Sequence, residues 1–436
     1  MVFMLLIPSR FNVLLENDLL AFNSSTCALV HFNHSFRKIL QNPNTELSVQ
    51  DNFLREQMLS CGFLVPADRD ELSTLRSRYL QSQSNRDTLA VTIMPTDACN
   101  FNCFYCFQDK KSIHMSSDTA NALVNFIDSK LSGVKTLKVT WFGGEPLLAI
   151  NLIQSLSHSL RQLAKKHSCV YEAFIITNGY LLNDSYIQIL SQCQIRTVQI
   201  SLDGDKSTHD SRRFLTNGEH SFNVILRNLK ALLERDFNVS CRINLDRSNL
   251  HSIPNLLSTL SHFLGSLKSK LTLSFALILP FAHLDKWDSN LCLSIEDFSA
   301  CVSNFSDCMA ELGFNIPDLY PFYPTPKNTF CAAVWHNSFL IRPDGSIGKC
   351  FDCNLSVGDV WHGIAHDSAT QSNLSQWLDF NPFDDLECKN CTVLPLCFGS
   401  CPFFRIFRKK KLCLKWKADL STSLRHIFYR KGGASS

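Results

Sequence analysis

From Leu89 onward the chain alternates short apolar runs with longer segments of helical periodicity. The apolar runs fall at 89–95, 136–142, 171–177, 196–202, 239–245 and 271–279. Between and after them, apolar residues recur every three or four positions over 117–132, 149–166, 183–193, 221–235, 252–264 and 295–312. That spacing puts one apolar stripe along a helix. Ser117 opens the first of these segments, Gly133 closes it, and Asn183 precedes the third; such residues satisfy orphan backbone groups at helix ends. Six strand–helix units in strict alternation predict an α/β domain with a parallel sheet, an open, partial (β/α)6 barrel of TIM type.

The pattern differs on either side. Short strands are expected at 3–7, 12–15 and 19–22, helices at 36–40 and 50–59, then a strand over 61–66 behind Gly62 and a polar helix over 70–81. A few strands and three helices in 84 residues match a small winged-helix-like module, and Ser82–Asn85 reads as its hinge. Beyond Tyr320, Pro321, Pro324 and Pro326 mark a linker, cysteines become dense, and Phe339–Ile347 reads as a β-hairpin around an Asp344-Gly345 turn. The expected organisation is therefore 1–84, 85–320, 321–418 and a tail over 419–436, with Gly432–Ser436 loose.

Composition narrows the picture. Of 436 residues, 45% are hydrophobic and 19% charged, as in ordinary globular proteins. A net charge of +3 is too small to argue for a nucleic-acid partner. One basic run, Arg405, Arg408, Lys409, Lys410, Lys411, Lys415 and Lys417, reads as a solvated face or as a patch for an acidic peptide. No run of 18 apolar residues exists, and Met1–Ile7 is too short and lacks the basic start of a signal, so no membrane partner is expected. Nineteen cysteines, an odd number at metal-site spacings, point to a reducing, cytoplasmic compartment.

The cysteines carry the chemistry. Cys99, Cys103 and Cys106, spaced Cys-x3-Cys-x2-Cys, follow the first predicted barrel strand. A closed zinc site or iron–sulfur cube takes four ligands, whereas three thiolates on a four-iron cluster leave one iron open for a small molecule. One strand–helix unit later come Gly143, Gly144, Glu145 and Pro146. Two glycines let the backbone approach a ligand, and the glutamate offers an acceptor to an ammonium. The plain alternative is a cysteine cluster that binds zinc or nothing.

Together the two motifs resemble the radical S-adenosylmethionine (SAM) superfamily. The resemblance implies that Cys99, Cys103 and Cys106 hold a [4Fe–4S] cluster and that the 143–146 turn holds the amino group of SAM. It also implies that a serine and an arginine hold the SAM carboxylate; Ser201 and Arg213 are the candidates, with Arg212 and Arg242 as competitors. Asn178 closes the third strand and Tyr105 stands where an aromatic often meets adenine. The bland reading of these positions is turn chemistry and surface salt links, and His209 is left open between turn and site.

The C-terminal cysteines match a second pattern. Cys331, Gly345, Cys350, Cys388, Cys391, Cys397, Cys401 and Cys413 resemble the SPASM signature of radical SAM maturases. The resemblance implies a first auxiliary [4Fe–4S] cluster on Cys331, Cys350 and Cys401, and a second on Cys388, Cys391, Cys397 and Cys413. Cys353 is a fourth ligand for the first, or else that iron is open; two zinc sites are the alternative. The scattered Cys27, Cys61, Cys169, Cys193, Cys241, Cys292, Cys301 and Cys308 read mostly as buried small hydrophobes.

Such enzymes cleave SAM to a 5′-deoxyadenosyl radical that takes hydrogen from an unactivated C–H bond, and the resemblance extends to about 87–415. Its N-terminal module resembles a leader-recognition element. The expected activity is oxidative modification, of thioether or other crosslinking type, of a ribosomally made precursor peptide with a leader, electrons coming from flavodoxin or ferredoxin. A formylglycine-generating sulfatase maturase is the alternative. There an aspartate follows the cysteine matching Cys350, but here Phe351 follows it and the aspartate, a candidate catalytic residue, is Asp352. A non-catalytic electron carrier or peptide binder would have no need of the intact 143–146 turn.

Overall fold

The structure is a computed structural model and describes residues 4–108, 111–279, 289–315, 324–413 and 415–430. Pro321 of the expected linker and the Gly432–Ser436 tail lie outside them. The chain divides into two compact units: 85–317 with 335–378, and 1–84 with 318–334 and 379–436.

The first unit is built on six parallel strands, Thr88–Ile93, Thr136–Trp141, Val170–Ile176, Ile195–Ser201, Asn238–Leu245 and Leu271–Leu277. They lie side by side in chain order, each joined to the next by a helix, as parallel pairing requires. In Thr88–Ile93 only Leu89, Val91 and Ile93 are buried. The alternate positions are half-open, unlike the continuous apolar runs of a fully packed parallel sheet, so one face leaves room for a ligand. The helices cover the other face. Ile150–Lys166 buries Ile150, Ile153, Leu156, Leu160 and Ala164, a stripe at helical spacing. The first helix, Ser117–Lys130, is capped by Ser116, whose side chain accepts from the Thr119 N–H, rather than by Ser117; Asn183 caps the third as expected.

The sheet does not end at its first strand. Ser338–Ile341 pairs parallel to Thr88–Ile93 and antiparallel to Ser346–Gly348, so the expected hairpin extends the barrel sheet. Residues 335–378 therefore belong with the barrel and not with the rest of the cysteine-rich segment. Gly345 closes the turn at φ +81°, and a Cβ there would stand 2.5 Å from the Trp361 ring.

The second unit joins both ends of the chain. A three-stranded antiparallel sheet, Asn12–Leu15, Leu20–Asn23 and Ala28–His31, accompanies a strand pair, Leu6–Pro8 with Leu64–Pro66. Every residue of Leu20–Asn23 is buried, because the sheet is covered on both sides. Ala21 faces a core of Phe32, Phe36, Ile39, Met58 and Phe63. Phe22 packs instead with Val393, Leu396, Trp416, Leu420 and Leu424. Thus 1–84 is not freestanding, and much of the expected tail is a helix, Leu420–Arg430, that helps cover it. Arg425 reaches back to Asp18 at 2.6 Å.

Of the scattered cysteines, Cys27, Cys193 and Cys241 are buried, while Cys61, Cys169, Cys292, Cys301 and Cys308 are half-buried. The expectation of mostly buried thiols thus holds for the minority.

Candidate active site and cysteine pocket

A cavity of about 370 Å³ opens at the C-terminal ends of the barrel strands, where parallel α/β folds place their ligands. Cys99, Cys103 and Cys106 line it, facing Gly143 and Gly144 on one side and Ser201, Arg213, Arg242 and Asn244 on another. Those three are the cysteines that line it among the described residues. The loop is anchored at both ends: Thr96 bridges to His114 and Phe101 to Leu215, and the Asn102 N–H donates to the Phe214 carbonyl at 2.9 Å.

The glycine pair serves this loop as much as any ligand. The Gly144 N–H donates to the Thr96 carbonyl at 3.1 Å and the Glu145 N–H to the Ala98 carbonyl at 2.8 Å. A Cβ on Gly143 would stand 2.3 Å from the Thr96 oxygen, and one on Gly144 2.2 Å from the Ala98 oxygen. Only glycine lets the two backbones come that close.

Glu145 differs from its expected role. Its side chain is fully buried and lies outside the cavity wall. Oε1 accepts from the Leu147 N–H at 3.0 Å and the Thr177 hydroxyl at 2.7 Å, and Oε2 from the Asn178 N–H at 2.7 Å. Burial pushes its carboxyl up to about 6, against these donors. The carboxylate therefore ties the turn to the end of the third strand. Pro146 starts the 3-10 turn that follows. Asn178 lines the cavity and donates from its side chain to the Asn100 oxygen at 2.7 Å, next to Cys99.

The arginines separate cleanly. Arg212 is held bidentately by Asp246, two contacts of 3.0 Å, and by the Ser248 hydroxyl at 2.6 Å, and does not line the cavity; its role is structural. Arg213 and Arg242 both line it. Arg213 donates to the Tyr105 hydroxyl at 2.6 Å. Burial alone would lower its pKa, but Cys103, Tyr105 and Asp203 outweigh that and raise it well above normal. Arg242 donates to the Asn244 side chain at 2.9 Å, and burial lowers its pKa.

Tyr105 lines the cavity, yet its hydroxyl is the hub of a network. It donates to Asp203 and accepts from Arg213 and, at 3.2 Å, from the Asn244 amide. Burial raises its pKa well above normal. Asp203 is fully buried and also accepts from the Asn244 N–H and amide at 3.3 and 3.1 Å. Sequence reasoning missed this hub, and it missed an aromatic wall: Phe351 packs against Phe142 and Phe107, ring centroids 5.1 and 5.9 Å apart. Phe351 and Asp352 both line the cavity.

His209 does not line it. It is fully buried; Nδ1 accepts from the Asp203 N–H at 3.2 Å, and Nε2 meets the Ser221 hydroxyl at 3.0 Å, which donates to the Arg213 carbonyl. Burial lowers its pKa from 6.5 to about 3. The unfolded imidazole therefore takes up a proton below about pH 6.5 that the folded one refuses until about pH 3. Stability is complete above that range and falls as pH drops through it, by an amount on the order of 5 kcal/mol. Denaturant midpoints between pH 7.5 and 5 are expected to fall less steeply for His209→Asn than for the native chain. Equal slopes would show that another group controls the acid limb.

In the second unit, Cys388, Cys391, Cys397 and Cys413 line one small pocket. Burial and the neighbouring sulfurs push the Cys397 thiol up to about 12. Four thiols cannot ionise together there without a cation, which suits a metal cluster. Part of the basic run surrounds it: Arg405 donates to the Cys388 Sγ at 3.6 Å and pairs with Asp385, while Lys411 and Lys417 pair with Glu387. These side chains are therefore tied to the pocket by ion pairs rather than merely solvated. Of the other cysteines, Cys331 and Cys401 belong to this unit and Cys350 and Cys353 to the barrel unit.

The site is a cavity at the mouth of a partial barrel that brings three thiols together beside a set of buried charged and polar groups. Residues 93–259 match the radical SAM superfamily, so the protein carries a radical SAM domain, a fold that binds a [4Fe–4S] cluster and SAM. The Cys99, Cys103 and Cys106 loop offers three thiolates to such a cluster, and Gly143, Gly144, Ser201, Arg213 and Arg242 line the same cavity. The chain is 25% identical over 348 residues to the cysteine-type anaerobic sulfatase-maturating enzyme of Clostridium novyi, covering 72% of this chain and 88% of that protein. It spans about half the length of the Fe-coproporphyrin III synthase of Methanosarcina barkeri, 27% identical over 211 residues, covering 46% of this chain and 49% of that one.

Among solved structures, anSMEcpe with bound AdoMet aligns with a TM-score of 0.60 at 18% identity, covering 78% of this chain and 97% of its own. Streptococcus suis SuiB, bound to precursor peptide SuiA, aligns at 0.55 and 14% identity, covering 93% and 98%. Both show the fold. No helix among the described residues is long and apolar enough to cross a membrane.

Proposed function

We propose that the protein is a peptide maturase that oxidatively crosslinks a ribosomally made precursor, most simply through a thioether. The observation that carries this reading is the N-terminal sheet: Ala28–His31 forms one of its two edges among the described residues. An extended leader can add to such an edge as a further strand. SuiB, whose structure holds its precursor peptide, aligns with 93% of this chain, whereas anSMEcpe aligns with 78% of it.

Bound cluster and SAM supply the homolytic chemistry that takes a hydrogen atom from an unactivated C–H bond. The chain's residues hold and shield them. Arg213, with its charge kept by Tyr105 and Asp203, or Arg242 pairs with the SAM carboxylate, Ser201 donates to it, and Phe351, Phe142 and Phe107 keep water from the open side. Cys388, Cys391, Cys397 and Cys413 would hold an auxiliary [4Fe–4S] cluster, which would supply an electron acceptor. Flavodoxin or ferredoxin in the cytoplasm supplies the reducing electron.

The leader reading has a sharp test. In an antiparallel ladder successive N–H groups alternate between inward and outward. The Phe32 N–H points into the sheet, to the Leu19 carbonyl at 2.7 Å, so that of His31 points out. His31→Pro is expected to weaken binding of the precursor at least tenfold while leaving SAM cleavage without substrate unchanged. Unchanged peptide affinity would remove the edge from the mechanism. The reaction itself is checked by mass spectrometry of a co-expressed precursor, where loss of two hydrogens per link is expected.

A second reading, the sulfatase maturase, draws on Asp352 in the cavity wall and the Clostridium novyi relative. Formylglycine in a co-expressed sulfatase, with no change in any precursor peptide, would establish it in place of crosslinking.

A further inference from the structure

We propose that Asp359, His362 and His366 form a site for a borderline divalent ion, zinc in the first place, separate from every cysteine group. One ligand atom from each of the three lies within 4.8 Å of the others. His362 Nδ1 stands 3.0 Å from Asp359 Oδ1, and His366 Nε2 stands 3.7 Å from Asp359 Oδ2. Asp367 lies outside this group of three, its Oδ2 3.4 Å from His366 Nε2. Ligands on a tetrahedral zinc, each about 2.0–2.1 Å from the metal, stand about 3.3 Å apart. The observed separations bracket that value.

The proton count of His366 is the second argument. Its Nδ1 lies 3.2 Å from the Gly363 carbonyl, an acceptor only, so Nδ1 carries a proton and donates. Nε2 is left facing Asp359 and Asp367. A lone pair turned toward two carboxylates is repulsive unless a cation lies between them. That cation is a second proton on the ring or a metal ion. A histidine that gives its far N–H to a backbone carbonyl while its near nitrogen meets carboxylates is the arrangement that orients an imidazole on zinc.

The donors are held in place before any ion arrives. Gly358–Asp359 pairs with Gly363–Ile364, and Asp359 Oδ1 accepts from the N–H groups of Trp361 and His362 at 2.9 and 2.7 Å. Asp367 Oδ1 accepts from the Thr370 N–H at 2.7 Å at the start of helix Ser368–Leu378, leaving Oδ2 turned to His366. Imidazole and carboxylate donors without sulfur suit zinc and its neighbours rather than an iron–sulfur cluster. An ion here would lock the short strand pair whose Trp361 ring rests on the Gly345 turn.

The test uses the full chain with its cysteine sites loaded with iron under anaerobic conditions. After equilibration with buffered micromolar zinc and gel filtration, the native chain is expected to retain one more zinc per chain than His362→Gln/His366→Gln. Absorption at the zinc edge should then show nitrogen and oxygen at about 2.0 Å and no sulfur near 2.3 Å. Asp359→Asn should weaken retention at least tenfold. Matching iron content and melting temperature of native and variant chains without zinc establishes that the variants fold. Equal zinc in native and double-variant chains, or zinc ligated by sulfur alone, overturns the site and leaves a proton as the cation between His366 and the carboxylates.

Discussion

Gly144→Ala is expected to strip the 99–106 loop of its iron and to cut 5′-deoxyadenosine formation at least a hundredfold. A methyl group there would meet the Ala98 and Asp97 carbonyl oxygens at 2.2 and 2.4 Å. Both obstacles are backbone, so no side chain can swing aside. Relief requires the cysteine loop to move away from the 143–146 turn, breaking the Gly144 and Glu145 N–H contacts to Thr96 and Ala98. Overpacking typically costs about 1–3 kcal/mol, but here the cost falls on the three ligands. Iron per chain should drop by one cluster while the pocket of Cys388, Cys391, Cys397 and Cys413 keeps its own. Normal iron and normal turnover in Gly144→Ala would show that the loop tolerates the displacement.

Asp203→Ala should be almost as damaging, through a different cause. Asp203 is fully buried and receives the Tyr105 hydroxyl and two donors from Asn244, with the Arg212 Nε 3.9 Å away. Removing one partner of a buried charged network costs about 3–5 kcal/mol, because the remaining charge stays desolvated. Arg213 would lose one of the anions that keep its charge, and Tyr105 its fixed orientation. The expected result is a lower melting temperature and at least tenfold weaker SAM binding. Asp203→Asn, which keeps the shape and one acceptor, should recover part of both. If alanine and asparagine behave alike, the charge of Asp203 is not what matters.

The barrel was legible because its signal is periodic: strand and helix alternate, and the observed elements fall within a residue or two of the expected ones. What periodicity cannot see is a helix without apolar residues. Lys206–Arg212 is wholly polar, yet His209, Asp210 and Arg212 are buried. It is held by hydrogen bonds, so it left no hydrophobic trace. Strand Ala28–His31 was missed because it follows Asn23 after a short turn, too closely to stand out as a separate run.

The site shows the same division. Cysteine spacing marked the 99–106 loop, since three residues close in sequence must be close in space, and all three line the cavity. Adjacent arginines defeat that logic: Arg212 and Arg213 lie at the end of one short helix and point to different surroundings, one to Asp246 and the other to the cavity. The role of Glu145 was likewise hidden, because Thr177 and Asn178, its partners, arrive from the next strand. Phe351 joins Phe142 and Phe107 only through the hairpin that adds to the barrel sheet, a pairing between residues some 250 positions apart.

The double-sided burial of Leu20–Asn23 sets a timetable for biosynthesis. Asp18 and its partner Arg425 are 407 residues apart, so the outer half of this sheet is synthesised first and covered last. At about 5–20 residues per second, Phe22 and its neighbours wait for roughly 20–80 seconds on the ribosome before their lid exists. Chaperone capture of nascent chains should therefore centre on residues 12–31 and persist until residues 393–424 have emerged.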